Sequence, residues 1–131
     1  MTAPHGRFVA YTGRWRIVLA STSDGDGAIA ALRSLLVNVL AGLTDAGGPL
    51  IGHIKLLANA GAAGHVAMSV TRYDEVPRPK GELRGDPRAL DLTLAAIVMD
   101  TRHDDLARIV ENALPKELNP EWVGDTTGER Q

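Results

Sequence analysis

The 131-residue chain contains no cysteine, which removes several classes of protein from consideration. Zinc ribbons, disulfide scaffolds and thiol chemistry all need cysteine side chains, so this sequence supports none of them. A chain of this length buries roughly two thirds of its unfolded surface, so it needs neither a disulfide nor a metal to fold. We therefore expect one compact domain.

The sequence also lacks a long uninterrupted hydrophobic run and a secretion signal. Its longest apolar window, residues 28–43, contains Arg33, Ser34 and Asn38, whereas a membrane span needs about 20 mostly uninterrupted apolar residues. Residues 1–6 show no basic segment followed by an apolar run and a cleavage site. We expect no membrane-spanning helix and a cytoplasmic location.

Neither sign of charge dominates, since 14 Lys and Arg stand against 16 Asp and Glu for a net charge of −2. All of this −2 lies in residues 115–131, where Lys116 and Arg130 oppose four acidic residues, namely Glu117, Glu121, Asp125 and Glu129. The balance argues against a globally basic nucleic-acid binder.

The first half of the chain predicts strand structure followed by a long helix. Residues 8–20 are rich in β-branched and aromatic residues, and they predict a hairpin that turns at Thr12-Gly13 or, alternatively, one bent strand. Turn formers and cap residues at 21–27 end this segment, and apolar residues at helical spacing predict a helix over 28–45.

The helix over 28–43 is apolar on nearly all sides. Such a helix must be covered on more than one side, which a single open sheet does not achieve. Either the C-terminal helix or another subunit must cover it. We expect a homo-oligomer that associates through this helix or through the sheet.

The second half predicts three strands, a helix and a tail. Residues 50–58, 65–73 and 89–99 have strand patterns, a helix follows over 101–114, and residues 115–131 form an acidic, partly ordered tail. The expected fold is an α+β two-layer sandwich over residues 1–114. Its mostly antiparallel sheet has four to five strands with two helices on one face. This is a variant of the ferredoxin-like plait that lacks a final strand unless Trp122-Val123 supplies one.

Polar side chains gather on one face of the strands predicted at 50–58 and 65–73. If the apolar faces of the two strands stay together, the opposite face contains His53, Lys55 and His65, which are the candidate catalytic residues. Two imidazoles could hold a metal ion with Asp91 as a third ligand, or they could serve in acid–base chemistry. The solvated face of an antiparallel sheet explains the same composition without any site.

The connection at 75–88 is the other candidate region, since a loop this long in a compact domain is usually functional. Its three prolines bar regular structure from most of it. The residues expected to contact a small ligand or a protein partner come from this loop and from the polar sheet face: Ser69, Thr71, Arg78, Lys80 and Arg84. No cofactor is indicated.

Acidic clusters at 21–27 and 100–105 precede the predicted helices, and helix capping explains both. The sequence has no Walker lysine, no dinucleotide glycine pattern, no calcium-loop glutamate and no Gly-x-Ser-x-Gly elbow. A third function, weak single-stranded nucleic-acid binding, follows from aromatic residues interleaved with arginines near the N-terminus. These are Phe8, Tyr11 and Trp15 with Arg7, Arg14 and Arg16, and strand alternation is expected to turn the aromatics into the core.

These patterns favour a small, self-associating, non-catalytic α+β module that binds a partner or a small ligand. The alternative is a small enzyme with a histidine-based metal or acid–base site on the sheet face. Nucleic acid is not an expected partner, and neither is a membrane.

Overall fold

A computed structural model of the chain describes residues 8–19, 24–45, 52–72, 75–99, 101–115, 118 and 120–125. Within these residues the chain forms six strands and two α-helices. In chain order they are β1 (Phe8–Val18), α1 (Gly25–Asp45), β2 (His53–Asn59), β3 (Gly64–Val70), β4 (Lys80–Leu83), β5 (Ala89–Met99), α2 (His103–Ala113) and β6 (Pro120–Asp125). A short 3₁₀ turn, Gly61–Ala63, connects β2 to β3.

The six strands form one sheet in the order β4-β3-β2-β5-β1-β6, and all neighbouring strands are antiparallel. The predicted α+β fold with one antiparallel sheet and two helices is therefore confirmed. The predicted count of four to five strands is wrong. Two short edge strands, β4 and β6, bring the sheet to six.

The N-terminal segment is one strand and not a hairpin, because Gly13 lies inside β1 and does not form a turn. A Cβ atom at Gly13 would lie 2.5 Å from the ring of Trp15 and 2.6 Å from the hydroxyl oxygen of Tyr11. Glycine is needed there because the two large side chains occupy the space beside its backbone. Tyr11 and Trp15 are both buried in the core.

One edge strand lies in the connection that the sequence predicts as irregular, and the other lies in the predicted tail, where Trp122-Val123 is the possible final strand. β4 occupies the four residues after Pro79 in the proline-rich connection and pairs with residues 64–67 of β3. β6 lies in the predicted tail and pairs with β1. The ring of Trp122 packs edge-on against Trp15 with 5.3 Å between ring centroids. Trp122 and Val123 thus belong to a strand of the sheet.

The hydrophobic core lies between the helices and one face of the sheet. Alternate residues of the strands are buried there, and α1 contributes its leucines; the largest of these side chains include Ile17, Leu32, Leu36, Leu56, Leu92 and Leu94. Since alternate strand residues point to opposite faces, the remaining side chains lie on the other side. We call this second surface, which includes Arg14, Lys55, Leu57, Ala67, Thr93 and Ile97, the open face.

Contacts within the chain cover the apolar helix α1. Its five leucines are buried, and α2 packs so closely that a Cβ atom on Gly42 would lie 2.8 Å from Cγ2 of Ile109. The sequence left two ways to cover this helix, and in the structure the C-terminal helix α2 covers it. The apolar character of α1 is therefore satisfied without a second subunit, although Val37 remains 46% exposed.

By length and composition alone, α1 would be apolar enough to cross a membrane. The core helix of a soluble protein passes the same test, and here the leucines of the helix lie in the core. The N-terminus of α1 is capped as the sequence predicts, because the backbone N–H of Gly27 donates to Oδ1 of Asp24 at 2.8 Å. Residues 21–23 of the predicted cap cluster lie outside the described residues.

Candidate functional site

The strand register aligns the side chains of the open face into rows that cross the sheet. One row is polar throughout and consists of Arg16, Asp91, Asn59, His65 and Glu82. All five side chains are exposed, and the ion pair of Arg16 with Asp91 is long at 3.8 Å. This row has the character of an ordinary solvated sheet face.

The neighbouring rows of the open face mix apolar side chains with polar and charged ones. Thr93, Leu57 and Ala67 are adjacent across three strands, and Ala95 lies in the next row beside Lys55. Leu57 is 45% exposed and Ile97, one row further, is 39% exposed. The sequence signal for this patch is a break in alternation, because Leu56-Leu57 and residues 95–99 place apolar side chains on both faces. Although residues 95–99 are all apolar, only the even-numbered positions among them are buried.

A groove of about 700 Å³ lies over this less polar part of the open face. The connection between β3 and β4 contributes its other side. The sheet lines it with Lys55, Leu57, Ala67, Ser69, Lys80, Thr93 and Ala95, and the connection lines it with Glu75, Val76 and Arg78. The groove exists because β4 pairs only with residues 64–67, so the chain that precedes β4 passes beside the rest of β3.

Two contacts position the connection. Oε1 of Glu75 accepts hydrogen bonds from the backbone N–H of Thr71 at 2.8 Å and from its hydroxyl at 3.2 Å. The Thr71 N–H lowers the pKa of the Glu75 carboxyl below its ordinary value, and the Thr71 hydroxyl adds to this effect. Pro77 is buried and lines a smaller hollow of about 340 Å³ with α1 residues that include Val37 and Leu40.

The charged groups around the groove are mostly cationic. Lys55, Arg78 and Lys80 line it, while Glu75 is the one carboxylate among its described lining residues. That carboxylate is already hydrogen-bonded to Thr71. The side chains of the three cations form no ion pair or hydrogen bond with another described residue. The groove therefore combines an apolar surface with cationic groups that have no partner in the described part of the chain.

The structure brings together four of the residues predicted from the sequence: Lys55, Ser69, Arg78 and Lys80 line the groove. Thr71 and Arg78 line an adjoining polar hollow of about 570 Å³. Arg84 lies elsewhere. Its guanidinium donates to the carboxylate of Glu82 at 2.9 Å and to the carbonyl of Ala62 at 3.0 Å. Arg84 thus ties the chain after β4 to the turn before β3, and it is not part of the groove.

The two candidate histidines lie at opposite ends of the β2–β3 pair. His65 pairs with Asn59, which is six positions from His53, a separation of about 20 Å at the usual rise of a strand. His53 is the first residue of β2 and His65 is the second residue of β3, and the starts of the two strands of an antiparallel hairpin are at opposite ends. They cannot share one metal ion. Asp91 lies near the His65 end, with Asn59 between them.

No group of three or more His, Asp or Glu side chains in the described ranges could hold a metal ion. The helix-start cluster at 103–105 has His103 beside Asp104 and in ring contact with Tyr11, with 5.8 Å between centroids. Tyr11 and Trp15 are buried, so neither is available for stacking on a nucleic-acid base. Arg7 and Asp100, which belong to these two sequence predictions, lie outside the described residues.

Sequence reasoning missed five of the residues that line the groove: Leu57, Ala67, Val76, Thr93 and Ala95. Fold and site together define a small α+β sandwich whose open sheet face contains an apolar groove bordered by cations. No protein-family model, no curated protein and no solved structure matches this chain.

Proposed function

We propose that the protein is a non-catalytic module that binds a small ligand in the groove on its open face. The observation that supports this most directly is the groove itself, whose volume of about 700 Å³ is within the usual range for small-molecule sites, about 300–1,000 Å³. Its lining is mainly apolar, with the hydroxyls of Ser69 and Thr93 as neutral polar groups. Mostly apolar lining with a few polar groups is typical of ligand pockets.

Binding is favoured over catalysis by the chemistry of the lining residues. The Glu75 carboxylate is hydrogen-bonded to Thr71, and neither histidine of the sheet face lines the groove. Histidine is the commonest general acid–base group near neutral pH, and the described lining of the groove contains none. The enzyme alternative rests on His53 and Lys55, which are two positions apart on the open face of β2.

Filling the groove tests the proposal. The Ala67→Phe substitution places a large side chain between Leu57 and Lys80, whereas Ala10→Phe places the same side chain on the open face beside Ile97, outside the groove. We expect the uncharged fluorescent probe phenylnaphthylamine to bind the wild-type protein saturably, the Ala10→Phe variant equally, and the Ala67→Phe variant at least about tenfold more weakly.

Thermal unfolding of each variant establishes that it is folded during the titration. The proposal is wrong if the folded wild-type protein shows no saturable binding, or if the two phenylalanine variants lose affinity to the same extent.

We also propose that the module self-associates, with the open face and not α1 as the interface. Apolar side chains are exposed on this face at Phe8, Val18, Leu57 and Ile97. Six strands about 4.8 Å apart and at most about 33 Å long give a face of at most about 800 Å². A stable dimer buries about 800 Å² on each partner, so a dimer through this face would use nearly all of it and enclose the groove between the two copies.

Two lysine substitutions distinguish the possible interfaces. Ile97→Lys introduces a charge on the open face, and Val37→Lys does so at a similarly exposed position on α1. We expect light scattering to give twice the chain mass of 13.9 kDa for the wild type and for Val37→Lys, and the single-chain mass for Ile97→Lys. A monomeric wild-type protein, or dissociation by Val37→Lys instead, would contradict this interface.

We interpret the architecture as a ferredoxin-like plait enlarged by the β3–β4 hairpin. Without these two strands the chain order is β1, α1, β2, β5, α2, β6, and the sheet order is β2-β5-β1-β6. This is the strand–helix–strand arrangement, repeated once, that characterises the plait. A cytoplasmic location is part of the same proposal.

A further inference from the structure

We infer that the ligand of this groove is an amphipathic anion, meaning a carboxylate, sulfonate or phosphate attached to an apolar body. The inference rests on the proposed function because it concerns the same groove. It names the chemical class of ligand, which the proposed function leaves open.

The charge around the groove favours an anionic ligand. Lys55, Arg78 and Lys80 contribute three positive charges, and Glu75 contributes one negative charge that Thr71 already engages. A concave surface lined by one sign of charge attracts ligands of the opposite sign. A neutral or cationic ligand would leave the three cations without a counterpart.

The two lysines of the groove lie on either side of β3. Lys55 of β2 is opposite Ser69 of β3, and Lys80 of β4 is opposite Ala67 of the same strand. Their backbones are therefore about 12 Å apart on the two sides of β3. Lysine side chains are long and flexible, so both ammonium groups can approach an anion placed over this strand. The small side chains of Ala67 and Ser69 leave room for that anion.

An apolar surface lies beside these cations. Leu57 and Val76 are exposed large apolar side chains, and with Ala95 they line the same groove. A free inorganic anion would leave this surface uncovered, whereas a ligand with an apolar body would cover it. Arg78 adds a planar guanidinium, which suits two-point hydrogen bonding to a carboxylate or a phosphate.

Two fluorescent probes with the same aromatic body test the inference. Anilinonaphthalene sulfonate has an anionic group, and phenylnaphthylamine lacks it. We expect the sulfonate to bind about tenfold more tightly, as a charge-assisted hydrogen bond would produce. The Lys80→Gln and Arg78→Gln variants should each reduce this difference, and Arg33→Gln, which removes an exposed charge from α1, should leave it unchanged. High salt should weaken the binding of the sulfonate and leave the binding of phenylnaphthylamine unchanged.

The outcomes separate the inference from the proposed function. Equal binding of the two probes, or tighter binding of the uncharged one, overturns the inference while the groove remains a ligand site. The same conclusion follows if Arg33→Gln weakens the sulfonate as much as Lys80→Gln does. Absence of saturable binding for both probes overturns the proposed function itself. Circular dichroism of each variant confirms that it is folded.

Discussion

The Leu57→Ala substitution removes the largest apolar side chain that the open face contributes to the groove, and the exposure of Leu57 sets the size of the effect. The residue is 45% exposed. Burial of a whole leucine side chain is worth about 1.5–3 kcal/mol, so covering the exposed part with a ligand is worth about 0.7–1.4 kcal/mol. We therefore expect Leu57→Ala to weaken phenylnaphthylamine binding by about 3- to 10-fold.

Val18 provides a matched control for this experiment. It is 48% exposed on β1, lies on the same open face, and does not line the groove. Fluorescence titration of the wild type, Leu57→Ala and Val18→Ala gives the three dissociation constants, and thermal unfolding confirms that each variant is folded. Because Leu57 is already half exposed, we expect its loss to lower the free energy of unfolding by only about 1 kcal/mol.

Two results would contradict this prediction for Leu57. If Leu57→Ala binds the probe as tightly as the wild type, the open face is not part of the ligand site. If Val18→Ala loses as much affinity as Leu57→Ala, the probe binds non-specifically to exposed apolar side chains and the groove has no special role.

Three further predictions concern the elements that frame the site. Asp24→Ala should lower the free energy of unfolding by about 1 kcal/mol because it removes the cap of α1, and Asp26→Ala should lower it less; equal losses in denaturant titrations would mean that charge alone matters. Gly25→Ala should lower it by about 1–3 kcal/mol, since a Cβ atom would lie 2.0 Å from the Leu83 carbonyl oxygen; a gain, as expected from the helix propensity of alanine alone, would contradict the close contact. The Glu75 pKa is lowered from its ordinary value of 4.5, so its carboxylate stabilises the connection fully above that pH and loses this effect as the pH falls through the lowered pKa. The amide NMR signal of Thr71 should report this titration with a midpoint below 4.5, and Glu75→Gln should abolish it; a midpoint at or above the ordinary value would show that the hydrogen bond is absent.

Much of the fold could be predicted because it depends on local periodicity. The alternation of Ala89–Met99 gave the strand that the structure has at those residues, and the apolar spacing over 28–45 gave a helix that the structure begins three residues earlier, at Gly25. Side-chain direction in a strand and helix capping both depend on residues a few positions apart. Such features can be seen in one segment of sequence without knowledge of the others.

β4 could not be predicted, and β6 could be named only as an alternative at Trp122-Val123, because both edge strands depend on tertiary pairing. Residues 80–83 have little intrinsic preference for a strand. They form β4 because their backbone pairs with that of β3. β6 forms in the same way along β1, with Trp122 packed on Trp15. In the opposite direction, Gly13 looks like a turn residue in the sequence, but the rings of Tyr11 and Trp15 require a glycine within the strand.

In the candidate site, too, some features follow from local sequence and others depend on contacts between distant residues. Strand alternation was enough to place Lys55 and Ser69 on the same face of the sheet, because the period of two in a strand is a local property. The separation of His53 from His65 and the position of Glu75, Val76 and Arg78 beside the groove could be seen only in the folded chain. Register and loop placement depend on contacts between residues far apart in the chain, and these contacts form only when the sheet, α1 and the connection pack together.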